Sequence, residues 1–205
     1  MSNVTNVKAI SVSDEVSASA TFIAVAARPT ATFTLANTSF ASGGARILTA
    51  TTAGTGDSGK TVTIVGTDIA GTALTEIITL PGSATTTAGT MYFLTVTSAT
   101  VSAQPAANVS LGMSTGAAQS IFNGRTRVRG LQMASGASAG DVTFENGPPA
   151  GAVSSGNTVL VVRTPGTGNA AVEPYIPDNG VLCASGAYIY YTVGEMNQVS
   201  VFYDG

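Results

Sequence analysis

Gly54-Thr55-Gly56-Asp57-Ser58-Gly59-Lys60-Thr61, running directly into Val62-Thr63-Ile64-Val65-Gly66, is the stretch on which the reading of this chain turns. Its first eight residues match G-x-x-x-x-G-K-[ST], the phosphate loop of nucleotide-binding enzymes. That loop binds phosphate only where a buried strand feeds a helix, because the helix N-terminus and successive backbone N–H groups build the anion site. The residues after Lys60 instead alternate with period two and are rich in β-branched side chains, which predicts a strand and no helix. The glycines at 54, 56 and 59, with Asp57 and Ser58, then read as a hairpin connection between two alternating runs. Gly66 to Gly71 turns the chain again, and Thr72 to Leu80 forms a third strand, so that Arg46 to Leu80 is expected to be a β-meander.

Thr55-x-Asp57-x-Gly59-x-Thr61 also resembles the Asp-box, a hairpin motif of sialidases and other β proteins, with Val62 at the position of the motif's Trp. A single copy without that aromatic implies a turn and not a sialidase.

Composition narrows the function. The 205 residues are 44% hydrophobic but only 9% charged, so solubility rests on Thr, Ser, Asn and Gly, as in a rigid β protein or an assembly subunit. A net charge of −3 and a pI near 4.7 argue against nucleic acid as a partner, since phosphate neutralisation needs a basic face. The chain has no histidine, which removes the commonest general base, the Ser-His-Asp and Cys-His arrangements and histidine metal sites. One cysteine, Cys183, excludes an internal disulfide and a multi-cysteine zinc site, and reads as a small buried residue. Neither a cofactor nor a metal is expected, and Asp-x-Asp calcium loops are missing. The longest purely apolar run, Phe22 to Ala27, falls short of the about 20 residues of a membrane span. Asp14 and Glu15 precede it where a signal peptide carries positive charge, so the protein is expected to stay in the compartment where it is made.

Short runs of β-branched and aromatic residues punctuated by Gly, Pro and Asn predict an all-β fold of two β-sandwich or jelly-roll-like domains with an extended N-terminal arm. Residues 1–30 read as the arm, either disordered or laid along a neighbouring subunit; Phe22, Ile23 and Val25 favour the second, and deletion of residues 1 to 28 is expected to leave a folded body. Residues 31–115 read as the first domain. It opens with a strand at Thr30 to Leu35, and after the meander it has one long strand from Thr90 to Ser102 and a short last strand from Val109 to Met113. Ser114 to Ser120 is the candidate boundary, leaving halves of roughly 100 residues. Residues 120–205 read as the second domain, with strands at Leu131 to Met133, Asp141 to Glu145, Thr158 to Arg163, Leu182 to Tyr191 and Gln198 to Tyr203. Its turns fall at Ser135 to Gly140, Gly147-Pro148-Pro149, Thr164 to Gly166, Asp178 to Gly180 and Gly194.

Arg125, Arg127 and Arg129 fall on one side of an extended segment. They read equally as a docking edge for acidic side chains of a partner or as solvated residues guarding a sheet edge. Tyr188, Tyr190 and Tyr191 with Phe202 and Tyr203 could form a glycan platform, but their spacing is that of ordinary strand packing. Asp57, Asp68 and Asp178 read as turn formers. Glu76, Glu145 and Glu173 lie in or beside strands, and no spacing marks a catalytic pair.

The run Ala50 to Gly54, Asp57 to Ile64, Gly66-Thr67-Asp68, Thr75-Glu76 and Phe93 to Ser98 is similar to a β module of structural proteins in tailed bacteriophages. Arg129-Gly130-Leu131, Gly140 to Phe144 and Val199 to Tyr203 resemble another such module, and together the two cover residues 45 to 205. The resemblance implies a non-enzymatic virion component, most similar to capsid cement or decoration proteins. Such proteins sit on the shell as homotrimers, bind the major capsid protein and are made in the host cytoplasm. A tail, collar or fibre protein that touches the host surface is the alternative; a carbohydrate-active enzyme would need a carboxylate pair in a groove, with Glu76 or Glu145 as its members.

Overall fold

The computed structural model describes residues 7–40, 43–148, 157–177 and 179–205. Every regular element among them is a strand. In chain order these are β1 (Val7–Ser13), β2 (Ser19–Ala27), β3 (Ala45–Thr52), β4 (Thr61–Thr67), β5 (Ala73–Thr79), β6 (Thr86–Phe93), β7 (Thr95–Val101) and β8 (Val109–Phe122). They continue with β9 (Thr126–Ser135), β10 (Ala139–Asn146), β11 (Thr158–Pro165), β12 (Ala171–Val172), β13 (Val181–Cys183), β14 (Ala187–Thr192) and β15 (Met196–Asp204). The fold is all-β, as the period-two patterning demands.

The chain divides into two compact units, named here for their place in the sequence. The central unit holds residues from Ser17 to Gly116, and the terminal unit holds those up to Val16 and most of those from Ala117 onward. In the central unit, β5, β4 and β7 form an antiparallel sheet in that order. β3 lies between β6 and the first part of β8, and β2 pairs with β8. Val62, Ile64, Ile78, Val96 and Ala99 from the first layer meet Ile23, Leu48, Leu111 and Met113 from the second in one buried cluster. That is a sandwich-like core, built because alternate residues of each strand point the same way. At Gly112 of β8 a Cβ would overlap the Ser19 carbonyl and Ala20 of β2, which is the usual reason for glycine inside a strand.

In the terminal unit, β1, β15, β9 and β12 lie in that order, with β13 also on β9, and β10 lies between β11 and β14. Val12, Leu131, Met133, Val199 and Val201 from one layer pack with Val142, Phe144, Val162, Ile189 and Tyr191 from the other. Cys183 is fully buried in this core.

Several expectations change. The described part of the segment expected to be an arm is two strands of the body: β1 pairs with β15 from Val7↔Asp204 to Ser13↔Gln198, and β2 places Ile23 and Ala24 in the central core. Apolar side chains in a Ser/Thr/Ala-rich segment gain most by burial within the chain itself. Thr30 to Leu35 makes only an isolated bridge, Thr32↔Thr100, alongside β7. β3 and β4 are not hairpin partners; β3 pairs with β6, whereas the β4–β5 hairpin is present, its turn held by the Asp68 carboxylate accepting from the N–H groups of Ala70 and Thr72. The run Thr90 to Ser102 breaks at Leu94 into β6 and β7, which belong to different sheets, and Leu182 to Tyr191 breaks into β13 and β14. Ser114 to Ser120, expected to be a connection, is strand throughout; the division between units falls inside β8, after Gly116. Residues 1–6, Pro149 and Asp178 lie outside the described residues.

Candidate functional site

The phosphate-loop sequence forms a closed structural clasp in the central unit. β4 begins at Thr61, whose N–H donates to Ser102 Oγ, so no helix leaves Lys60. Gly56 and Gly59 adopt φ values of 91° and 81°, the left-handed region that other residues enter at a cost. These turns bring the Asp57 carboxylate, itself fully buried, against the loop after β7. Asp57 Oδ1 accepts from Ala106 N at 2.6 Å and from Lys60 Nζ at 3.0 Å, and Oδ2 accepts from Ala107 N at 3.3 Å. Lys60 Nζ also donates to the Gln104 carbonyl at 2.9 Å, and Arg28 Nε to that of Pro105 at 2.8 Å.

Burial works against the charge on Asp57, but the Ala106 and Ala107 N–H groups and the Lys60 ammonium outweigh it and hold the carboxyl below its ordinary range. The anion that backbone N–H groups bind here is thus the protein's own carboxylate. Lys60, the residue a phosphate loop would direct at its ligand, is held by Asp57 and Gln104.

The arginine stripe has the expected parity and an unexpected place. Arg127 and Arg129 flank buried Val128 on β9, and Arg125 stands exposed just before the strand. β9, however, is an interior strand: Arg127 is in register with Leu182 of β13 on one side and with Asp204 of β15 on the other. The edge reading fails because β13 and β12 occupy the side of β9 that an edge strand would leave open. Arg129 Nε donates to Asp204 Oδ2 at 2.7 Å, and Arg127 donates to the Asn179 carbonyl. Arg125, Arg127, Leu182 and Asp204 border a shallow groove of about 290 Å³.

The other sequence candidates separate. Ile23 is completely buried and Phe22 stacks on Phe40, with ring centroids 5.6 Å apart, so neither is presented to a partner as a tether would present it. Val25 is 63% exposed and keeps that possibility. Tyr188, Tyr190 and Tyr191 are buried, which removes them from any surface platform; the Tyr188 hydroxyl donates to Asn123 Oδ1 and that of Tyr191 to the Ser13 carbonyl. Glu76 Oε1 accepts from the N–H groups of Thr90 and Met91, tying β5 to β6. Glu145 is buried in β10, and Glu173 accepts from Gln132 Nε2. Burial pushes the Cys183 thiol up, away from the reactive thiolate. Among the described residues, no group of His, Cys, Asp or Glu gathers as metal ligands.

Sequence reading passed over the solvent face of β9 and β15, where Gln132, Gln198 and Ser200 border a polar groove. The signal was present, since these polar residues alternate with buried Met133, Val199 and Val201. No protein-family model, curated protein or solved structure matches this chain.

Proposed function

We propose that this chain is a non-enzymatic structural protein of a bacteriophage virion, a cement or decoration protein that binds the outer shell and strengthens contacts between capsomers. Its partners would be the major capsid protein and two further copies of itself. The observation behind this reading is the set of strands that end their sheets. Among the described residues, β1, β5 and β11 each pair on one side only, with β15, β4 and β10, and expose Val7, Ile77 and Val161 at 50%, 64% and 50%. An open edge with a β-branched side chain beside it invites strand addition, so soluble proteins either block it or use it. In a symmetric shell, many copies multiply whatever each such contact contributes.

The alternative is a tail, collar or fibre protein that touches the host surface; the polar groove on β9 and β15 favours it. The test is the mass of the isolated protein and its copy number in the particle. A trimer present in hundreds of copies on the shell supports the proposal, and a handful of copies per particle overturns it in favour of the alternative.

A further inference from the structure

The groove on the solvent face of the terminal unit is built from side-chain amides. Gln132 on β9 stands in register with Ser200 on β15, which stands in register with Ser11 on β1. One row along, Ala134 pairs with Gln198 on one side and Ala171 on the other. Asn169 also lines the groove, whose volume is about 210 Å³. This is below the roughly 300–1,000 Å³ of clefts that take drug-sized ligands.

Each amide is held by a neighbour outside the groove. Gln132 Nε2 donates to Glu173 at 2.6 Å, Gln198 Nε2 to Ser11 Oγ at 2.6 Å, and Asn197 Nδ2 to Asn169 Oδ1 at 2.7 Å. Asn169 is the one non-glycine residue at positive φ among those described, at 64°. Its N–H is anchored on the Ser135 carbonyl at 2.7 Å. Asparagine enters that region more readily than other non-glycine residues, and the turn it makes here sets its side chain at the groove. These side-chain bonds orient the exposed amides toward one arrangement, which lowers the ordering cost of meeting a ligand.

The next outward residue of β15 after Ser200 is Phe202, 41% exposed, its ring lying over Gly130 of β9. Alternate residues of a strand are separated by about 7 Å, so a flat apolar surface adjoins the amide row. None of the residues lining the groove is cationic, and the Glu173 carboxylate beside it disfavours anions.

We propose that this face is a binding site for a neutral oligosaccharide whose hexose units run along β15, one unit stacking its apolar face on Phe202 and the units beyond it presenting hydroxyls to Gln132, Gln198 and Asn169. A sugar hydroxyl both donates and accepts, as a carboxamide does, and a pyranose ring has one face of C–H groups suited to an aromatic. The inference is independent of the shell-binding reading: copy number decides that one, and sugar titration decides this one.

The experiment is amide chemical-shift titration of the full chain with maltotriose, cellotriose, lactose, N-acetylglucosamine and sialyllactose. A neutral sugar should shift resonances of β9, β15 and residues 166–171 saturably, with a Kd of about 1 mM. Gln132→Ala, Gln198→Ala and Phe202→Leu should each weaken it about 5- to 10-fold, the size of one lost contact, with melting unchanged. No saturable shift with any neutral sugar at about 50 mM, tighter binding of sialyllactose than of lactose, or full binding by the glutamine variants would each overturn the proposal.

Discussion

Removing the Asp57 carboxylate tests whether the phosphate-loop sequence is a clasp. Asp57→Ala deletes the acceptors for Ala106 N and Ala107 N and leaves Lys60 with the Gln104 carbonyl alone. Hydrogen bonds to charged groups contribute about 1.5–3 kcal/mol each. The loop they hold is partly exposed, so water replaces some of what is lost and the lower end applies. The loss is then about 3 kcal/mol, or a fall in melting temperature of roughly 6–12 °C for a chain of this size. Asp57→Asn keeps an acceptor without the charge and should fall between the alanine variant and wild type. Lys60→Ala removes a partly exposed ion pair and should cost about 1 kcal/mol or less.

Equilibrium urea unfolding orders the three variants, and thermal melting with and without Mg-ATP provides the control. Because the folded-state pKa of Asp57 is depressed, its contribution is present above the ordinary carboxylate pKa of about 3.9 and disappears as pH falls through the folded value. The gap between wild type and Asp57→Ala should therefore stay constant from about pH 5 to 8 and close only in acid. A Lys60→Ala variant less stable than Asp57→Ala, or a melting rise with Mg-ATP, would show that the lysine and not the carboxylate organises this loop.

Deletion of residues 1 to 28 should abolish folding, contrary to what an arm would allow. It removes the β1 ladder and the burial of Val12 and Ile23, the latter worth about 3–6 kcal/mol together; a soluble truncated chain with a cooperative melt would contradict the placement of these strands. Glu195 offers a pH test. Burial raises its pKa, the bond from the Thr192 N–H opposes this, and the charges of Asp141 and Asp14 add to the rise. A raised folded pKa means stability present below the ordinary carboxylate value and lost as pH rises through the folded one. Glu195→Gln should therefore melt higher than wild type at neutral pH, the advantage vanishing near about pH 4; an advantage that grows in acid would reverse the assignment.

What the sequence made legible was local. Thr61 to Val65 alternates cleanly between faces, and β4 lies where that alternation puts it, because one face is buried and the other is not. The Asp68 turn followed from the same kind of chemistry. Pairing was not legible, since glycines between Thr52 and Thr61 show that the chain turns without showing which strand β3 joins. The N-terminal segment misled because Ser, Ala and Thr give little contrast between faces, although Ile23 was a true burial signal. Gly116 was read as part of a connection, but β8 runs through it as it does through Gly112, where the missing side chain makes room for the backbone of β2. The arginines kept their parity and lost their edge because β13, three residues long, was read as part of a longer neighbour.

The pairing of β1 with β15 sets an order of events during synthesis. The Ser11–Gln198 contact joins residues 187 positions apart, so at about 5–20 residues per second the first strand leaves the ribosome some 10–40 s before its mate exists. The central unit, whose residues are made in one nearly unbroken stretch, can close during that interval. Until translation reaches β15, β1 has no strand to pair with, and a chaperone that shields this segment would act while that long-range ladder waits to form.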